Sequence, residues 1–162
     1  MIEDYEAQGE NANEFALYGL TFKHKHLPEL QKYAKLAHTP LFQPAVGNFR
    51  QGMITAVPLQ LWTLSKVPTG AELHTAIADH FAAIPQSFVD VAPLSDLERS
   101  PELNPELYND TNRMRLHVFA NDSKAQALLV AVYDNLGKGA SGAAVQNLNL
   151  MLGVAADTSL AA

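Results

Sequence analysis

The 162-residue chain contains no cysteine. That absence excludes disulfides, thiolate-held metals and a cysteine nucleophile within this stretch, and leaves the redox compartment unmarked. Positive charge is scarce too: 11 Lys and Arg stand against 17 Asp and Glu, for a net charge of −6. Nucleic-acid and anionic-membrane binding need basic patches. Neither is an expected partner, since Lys23 and Lys25 form the only tight basic pair. No run approaches the roughly 18 apolar residues of a membrane span. The opening MIEDYEAQGENANEF is acidic and polar, unlike a signal peptide. A soluble cytoplasmic protein is the expected setting. What is present is globular: 48% hydrophobic and 17% charged residues are too apolar a mixture for a disordered chain. The length fits one domain, or one large lobe of a bigger enzyme.

The patterning mixes helices and strands. A short helix is expected over residues 1–8, ended by Gly9, and a short strand over 15–21. Residues 27–37 read as a helix with Leu30, Tyr33, Ala34 and Ala37 on one face. Residues 53–64 alternate like a strand, and Pro58 assigns it an edge or a bulge because proline cannot donate to a ladder. The clearest helix is 69–84, with a Thr69/Glu72 capping box and a stripe of Leu73, Ile77, Phe81 and Ile84. A strand follows at 87–92, then a polar, proline-interrupted loop over 92–112. A loop that long is functional, covers another surface, or is disordered. Residues 114–119 and 126–133 alternate on either side of Asn121 and Asp122 and read as a hairpin. The last helix is expected over 140–152 with Gly153 as its stop. The fold class is α+β: a largely antiparallel mixed sheet with helices on one face.

Three segments could carry chemistry. The first is KHKHLPEL, residues 23–30, where His24 and His26 precede a helix that Pro28 opens from its first position. The positive end of the helix dipole favours a neutral imidazole there, able to accept or relay a proton. A metal would need further ligands at convincing spacing, and none exists. Surface or capping histidines are the bland alternative. The second segment, GNFRQG over 47–52, suits a tight loop whose Asn48 and Arg50 could clamp a carboxylate or phosphate, or an ordinary surface loop. The third, GKGASG over 137–142, matches G-x-G-x-x-G literally. A dinucleotide fingerprint needs a second strand after its helix, and the chain leaves no room for one. Close packing through Gly139, Gly142, Ala143 and Ala144 is the reading that fits. Lys138 is either solvated or placed for a phosphate.

Taken in order, HKHLPEL, PLFQPAVGNFRQGM and DNLGKGASGAAVQNLNLMLG resemble the C-terminal half of the N-acetyl-gamma-glutamyl-phosphate reductase family. The resemblance covers nearly the whole chain. It implies a lobe like the C-terminal domain of glyceraldehyde-3-phosphate dehydrogenase over residues 1–154, with a tail over 155–162. It also implies a separate Rossmann-type domain, absent from this sequence, that binds NADP(H) and receives the helix at about 140–152. The implied reaction is NADPH-dependent reduction of an acyl phosphate, N-acetyl-glutamyl 5-phosphate, to the semialdehyde with release of phosphate, a step of arginine biosynthesis. A cysteine thiolate attacks, a thioester forms, and hydride transfer gives a thiohemiacetal that collapses to the aldehyde. The assisting histidine maps to His26, with His24 beside it. Arg50 and Asn48 become substrate contacts, and Asn135 the residue that reaches the nicotinamide carboxamide; a strand-end or turn role is the bland reading of Asn135. The family's cysteine and Gly-rich motif lie upstream of this region, so Met1 is expected to match an internal position of a longer chain, and the lobe alone to be inactive. A homo-oligomer is implied as well. The competing expectation is a binding or oligomerisation module that keeps the fold without the chemistry.

Overall fold

The computed structural model describes residues 2–9, 13–95 and 103–162 and divides the chain into two compact units, 1–50 and 51–162. In the first unit, α1 (Ile2–Gln8) ends at Gly9 in the left-handed region, φ +53°. The strands β1 (Phe15–Leu17) and β2 (Ala45–Gly47) pair antiparallel, with Phe15 opposite Gly47. Strand β1 is shorter than the pattern over 15–21 predicts. Gly19 turns left-handed at φ +64° and its carbonyl accepts the Phe22 N–H at 3.0 Å, which closes a turn there. Between the strands lies α2 (Leu27–Tyr33), also shorter than expected. Lys35 takes φ +53°, and the Leu36 N–H reaches back to the Gln31 carbonyl at 3.0 Å, ending the helix in a tight reversal. Its expected apolar face is not buried: Leu30 and Tyr33 are exposed, whereas Leu27 at the first helical position is covered.

The second unit is built on a four-stranded sheet in the order β3-β6-β5-β4: β3 (Met53–Gln60), β4 (Val89–Val91), β5 (Met114–Asn121) and β6 (Gln126–Tyr133). All pairings are antiparallel except β4 with β5, so the sheet is mixed as expected. Pro58 sits on β3, an edge strand, where its missing N–H costs no ladder bond on the open side. The strand stops at Gln60, short of the expected 64, because Leu61 drops into the interior at 1% exposure and its N–H turns to the Ala125 carbonyl at 2.8 Å. The hairpin β5–β6 turns through Asn121 to Ala125. The Asn121 side chain accepts the Lys124 N–H, and Ala125 takes φ +50°.

Helix α3 (Gly70–Ala82) starts at the expected capping box. Thr69 Oγ1 accepts the Glu72 N–H at 3.2 Å, and Glu72 Oε2 accepts the Thr69 N–H at 2.8 Å. A Cβ on Gly70 would lie 2.5 Å from Ala120 Cβ, so this glycine lets the helix start directly on the sheet. Leu73, Ile77 and Phe81 are half-buried, but Ile84, beyond the helix end, is exposed. The other face carries the main core. Val130 and Val132 are covered by Tyr108, with Leu103, Phe119 and Leu128 around them. Tyr108 belongs to the loop expected over 92–112, so the described part of that loop covers the sheet; residues 96–102 lie outside the described residues.

A π turn (Gly137–Ser141) leads without a break into α4 (Gly142–Leu152), which Gly153 ends at φ +71°. The residues after α4 are tied back: Asn149 Nδ2 donates to the Ala156 and Thr158 carbonyls, and the Asn112 N–H donates to the Ala161 carbonyl at 2.8 Å. Leu148, Met151 and Leu152 of α4 stay exposed.

Candidate functional site

The histidine turn is local in origin. The Leu27 N–H bonds to the His24 carbonyl at 3.1 Å, which places His26 at the N-cap of α2 and Pro28 at the second helical position, not the first. Proline is tolerated there for the same reason, since N–H groups of the first turn have no partner within the helix. His26 Nδ1 lies 3.2 Å from Glu29 Oε2, and both side chains are at least half exposed. A carboxylate can only accept, so Nδ1 carries the hydrogen, and in the neutral ring Nε2 presents its lone pair. His24 differs. Its Nδ1 accepts the His26 backbone N–H at 3.3 Å. Its ring is half-buried, 5.0 Å from Phe42, 5.8 Å from Tyr18 and 4.9 Å from His26. Glu29 is thus the side chain that the His26 ring meets directly. Among the described residues, no three His, Asp or Glu side chains gather as a metal centre.

The loop after β2 carries Asn48 and Arg50, both exposed. The Asn48 backbone N–H is bound to the Glu14 carbonyl at 2.9 Å, and Phe49 folds its ring over Gly47, where a Cβ would lie 2.1 Å from a ring atom. Among the described residues neither Asn48 nor Arg50 has a side-chain partner, and no hydrogen bond links them to the histidine turn. Their side chains remain available to an anion.

Asn135 lies in the second unit, just past β6. Its Oδ1 accepts the Gly52 N–H at 2.8 Å. Beside it is a residue that sequence reading passed over. Asp134 is 2% exposed; its Oδ1 accepts the Leu136 N–H at 2.8 Å, and its Oδ2 accepts the Asp110 N–H at 2.9 Å and Gln51 Nε2 at 3.3 Å. Gln51 Nε2 also donates to Asp110 Oδ1 at 2.9 Å. A buried carboxylate is tolerated when N–H donors occupy its oxygens, and this one has three. A strand end followed by Asp-Asn was the only signal for it in the sequence. An open cleft of about 350 Å³ borders this network, lined also by Asn112, Gly142 and Leu160.

The GKGASG segment is a close-packing device. A Cβ on Gly142 would meet Asn112 Oδ1 at 2.2 Å, one on Gly137 the Thr111 carbonyl at 2.7 Å, and one on Gly139 the Tyr133 ring at 3.1 Å. The Gly142 N–H is taken by the Gly137 carbonyl across the π turn. Lys138 is half-buried and already engaged: Nζ donates to Gln146 Oε1 at 2.8 Å and lies 5.8 Å from the Phe88 ring centre. Burial lowers its pKa below the usual lysine range.

With this geometry in view, comparison with known proteins is specific. The family profile described as semialdehyde dehydrogenase, dimerisation domain, matches residues 3–135. A protein of Mesorhizobium japonicum called N-acetyl-gamma-glutamyl-phosphate reductase is 71% identical over 95% of this chain and 50% of its own length. One of the same name from a Chelativorans species is 72% identical over 94% of this chain and 49% of its own. The Burkholderia ambifaria protein of that name is 49% identical over 95% of this chain and 49% of its own. The chain thus spans about half the length of the curated relatives it matches. It belongs to the semialdehyde dehydrogenase dimerisation-domain family.

Proposed function

We propose that this chain is the C-terminal half of an N-acetyl-gamma-glutamyl-phosphate reductase, and that it supplies the acid/base and substrate-holding side of the reaction. The observation that carries the reading is identity above 70% to reductases along nearly the whole chain. The partners are the reductase's own N-terminal nucleotide-binding half, an acyl phosphate substrate and further copies of the chain. Alone, the lobe lacks a nucleophile and is inactive.

In this reading His26 is the acid/base group. Glu29 holds its Nδ1–H, so Nε2 is free to take the proton of a thiol supplied by the preceding half and later to return it to the substrate oxygen. His24 fixes the turn by accepting the His26 N–H, and with that lone pair engaged its remaining ring nitrogen is a donor and not a base. Asn48 and Arg50 meet a carboxylate or phosphate oxygen of the substrate, for which a guanidinium fork is suited. A bound NADPH would supply hydride. Asn135 fits the carboxamide end of such a cofactor, because its oxygen is engaged by Gly52 and its NH₂ is left as donor. Subunit contact is assigned to the open part of the sheet around β3, where Met53, Ile54 and Val57 are exposed.

The test joins this chain to the N-terminal half of its Chelativorans relative and follows NADPH oxidation. Activity is expected from the joined protein and not from the lobe alone. His26→Asn should lower the rate by about 100-fold or more, the usual worth of an acid/base group. A rate that survives His26→Asn and is lost with His24→Asn would exchange the two roles, and an inactive joined protein that is folded and binds NADPH would reject the reading.

A further inference from the structure

We propose that Trp62 is a docking knob for a second copy of this chain: each copy's indole seats in the other's cleft at the hairpin end of the sheet, floored by Pro58, Phe119 and Leu128. The inference rests on the subunit contact read at β3 above and deepens it by naming the anchor and its socket.

Strand register sets the cleft. Phe119 stands opposite Leu128, and Leu128 opposite Pro58, so the three form one row across β5, β6 and β3 and share a face. Two residues on, Asn121, Gln126 and Gln60 form the next row on that face. Together these rows border an open cleft of about 360 Å³. Trp62 follows directly, in the short turn after β3 where Leu61 is drawn into the interior. It is the only tryptophan of the chain and is 63% exposed. Its ring is nevertheless held. Trp62 Nε1 donates to Gln60 Oε1 at 3.0 Å, and the same oxygen accepts Gln126 Nε2 at 3.1 Å. The one polar atom of the indole is satisfied inside the chain, which leaves its apolar faces as the surface on offer.

Three observations make a second copy the occupant. The matched family profile is a dimerisation domain, and its range, residues 3–135, contains the indole and every residue of the cleft. The exposed apolar face of α4, with Leu148, Met151 and Leu152, lies outside that range. Charge points the same way. The chain carries −6, so two copies repel on average, whereas neither Trp62 nor any cleft residue is charged. Symmetry is the third. In a two-fold dimer the same patch meets itself, so it must hold both knob and socket. Gln60 joins the two, since it borders the cleft and holds the indole. A seated indole buries roughly 150–250 Å², and the contact occurs twice per dimer. A ring already held in place also loses little freedom on docking, which suits an interface anchor.

The experiment uses this chain, whose single indole reports its own surroundings. Sedimentation velocity, tryptophan emission and acrylamide quenching are followed over a dilution series. The dimer should form as concentration rises, and over the same range the emission should move to shorter wavelength and quenching should fall. Trp62→Ala should raise the dimer dissociation constant by about 100-fold or more, since truncating an anchor costs about tenfold or more and the contact occurs twice. Pro58→Glu, which puts a charge into the socket, should weaken the dimer similarly and leave the Trp62 emission at its solvent-exposed wavelength. Circular dichroism of both variants should match the parent. The inference is overturned if the dimer forms while emission and quenching stay as in the monomer, or if Trp62→Ala moves the constant by less than about threefold. Val57→Asp separates this inference from the reading beneath it. A dimer that Val57→Asp breaks and Trp62→Ala spares keeps the β3 contact and ends the inference; a chain that stays monomeric at every concentration ends both.

Discussion

Gly142 opens α4, and replacing it by alanine sets two effects against each other. Helix propensity favours the change by about 0.8–1.0 kcal/mol in a helix interior, and by less at a first position. Packing opposes it. The new Cβ would lie 2.2 Å from Asn112 Oδ1 and 2.9 Å from the Gly137 carbonyl oxygen. Neither obstacle yields easily. Gly137 O is backbone and already holds the Gly142 N–H. Asn112 is 3% exposed, and its own N–H is fixed to Ala161. Overpacking of this kind costs about 1–3 kcal/mol. The steric cost exceeds the propensity gain, and Gly142→Ala should destabilise by about 1–2 kcal/mol. Urea unfolding followed by circular dichroism should show a lower midpoint with an unchanged slope. Adding Asn112→Ala should recover most of the loss, with a coupling energy of about 1 kcal/mol or more. A Gly142→Ala protein as stable as the parent, or more so, would refute the close-packing account of the glycine-rich segment.

Other consequences are independent of that one. The Thr69 N–H and, next, Lys66 hold the Glu72 carboxyl below the usual glutamate range. A lowered folded-state pKa adds stability that is present above the unfolded pKa and lost as pH falls through the folded one. Glu72→Gln should therefore flatten the acid limb of the stability–pH curve, and added salt should shrink the difference; an unchanged limb would dismiss the capping contribution. In the joined enzyme, Glu29→Gln should slow turnover by about tenfold, less than His26→Asn, because it loosens the ring but keeps it; a loss as large as that of His26→Asn would make Glu29 an equal participant. Val57→Asp, on the exposed edge strand, should shift the protein toward monomer in sedimentation velocity while leaving circular dichroism unchanged. An unaltered sedimentation coefficient would move the subunit contact off this face.

Much of the fold depends on short-range chemistry, and so was legible in one dimension. Thr69 and Glu72 determine the start of α3 because both halves of the capping box lie within one turn. Pro58 consigns β3 to an edge, Asn121 turns the hairpin, and Gly153 stops α4, each through its own backbone preferences. The histidine turn was legible as a pair, and so was the order of the motifs that tie the chain to its family. Tertiary structure decided what the local pattern leaves open. It shortened α2 at Lys35 and left its expected apolar face uncovered. It also gave two histidines two residues apart different surroundings, with Glu29 at one ring and Tyr18 and Phe42 beside the other. The Asp134 network lies furthest from any sequence signal. Two of its three donors come from Asp110 and Gln51, 24 and 83 residues away, and only folding brings them close enough to make a buried carboxylate affordable.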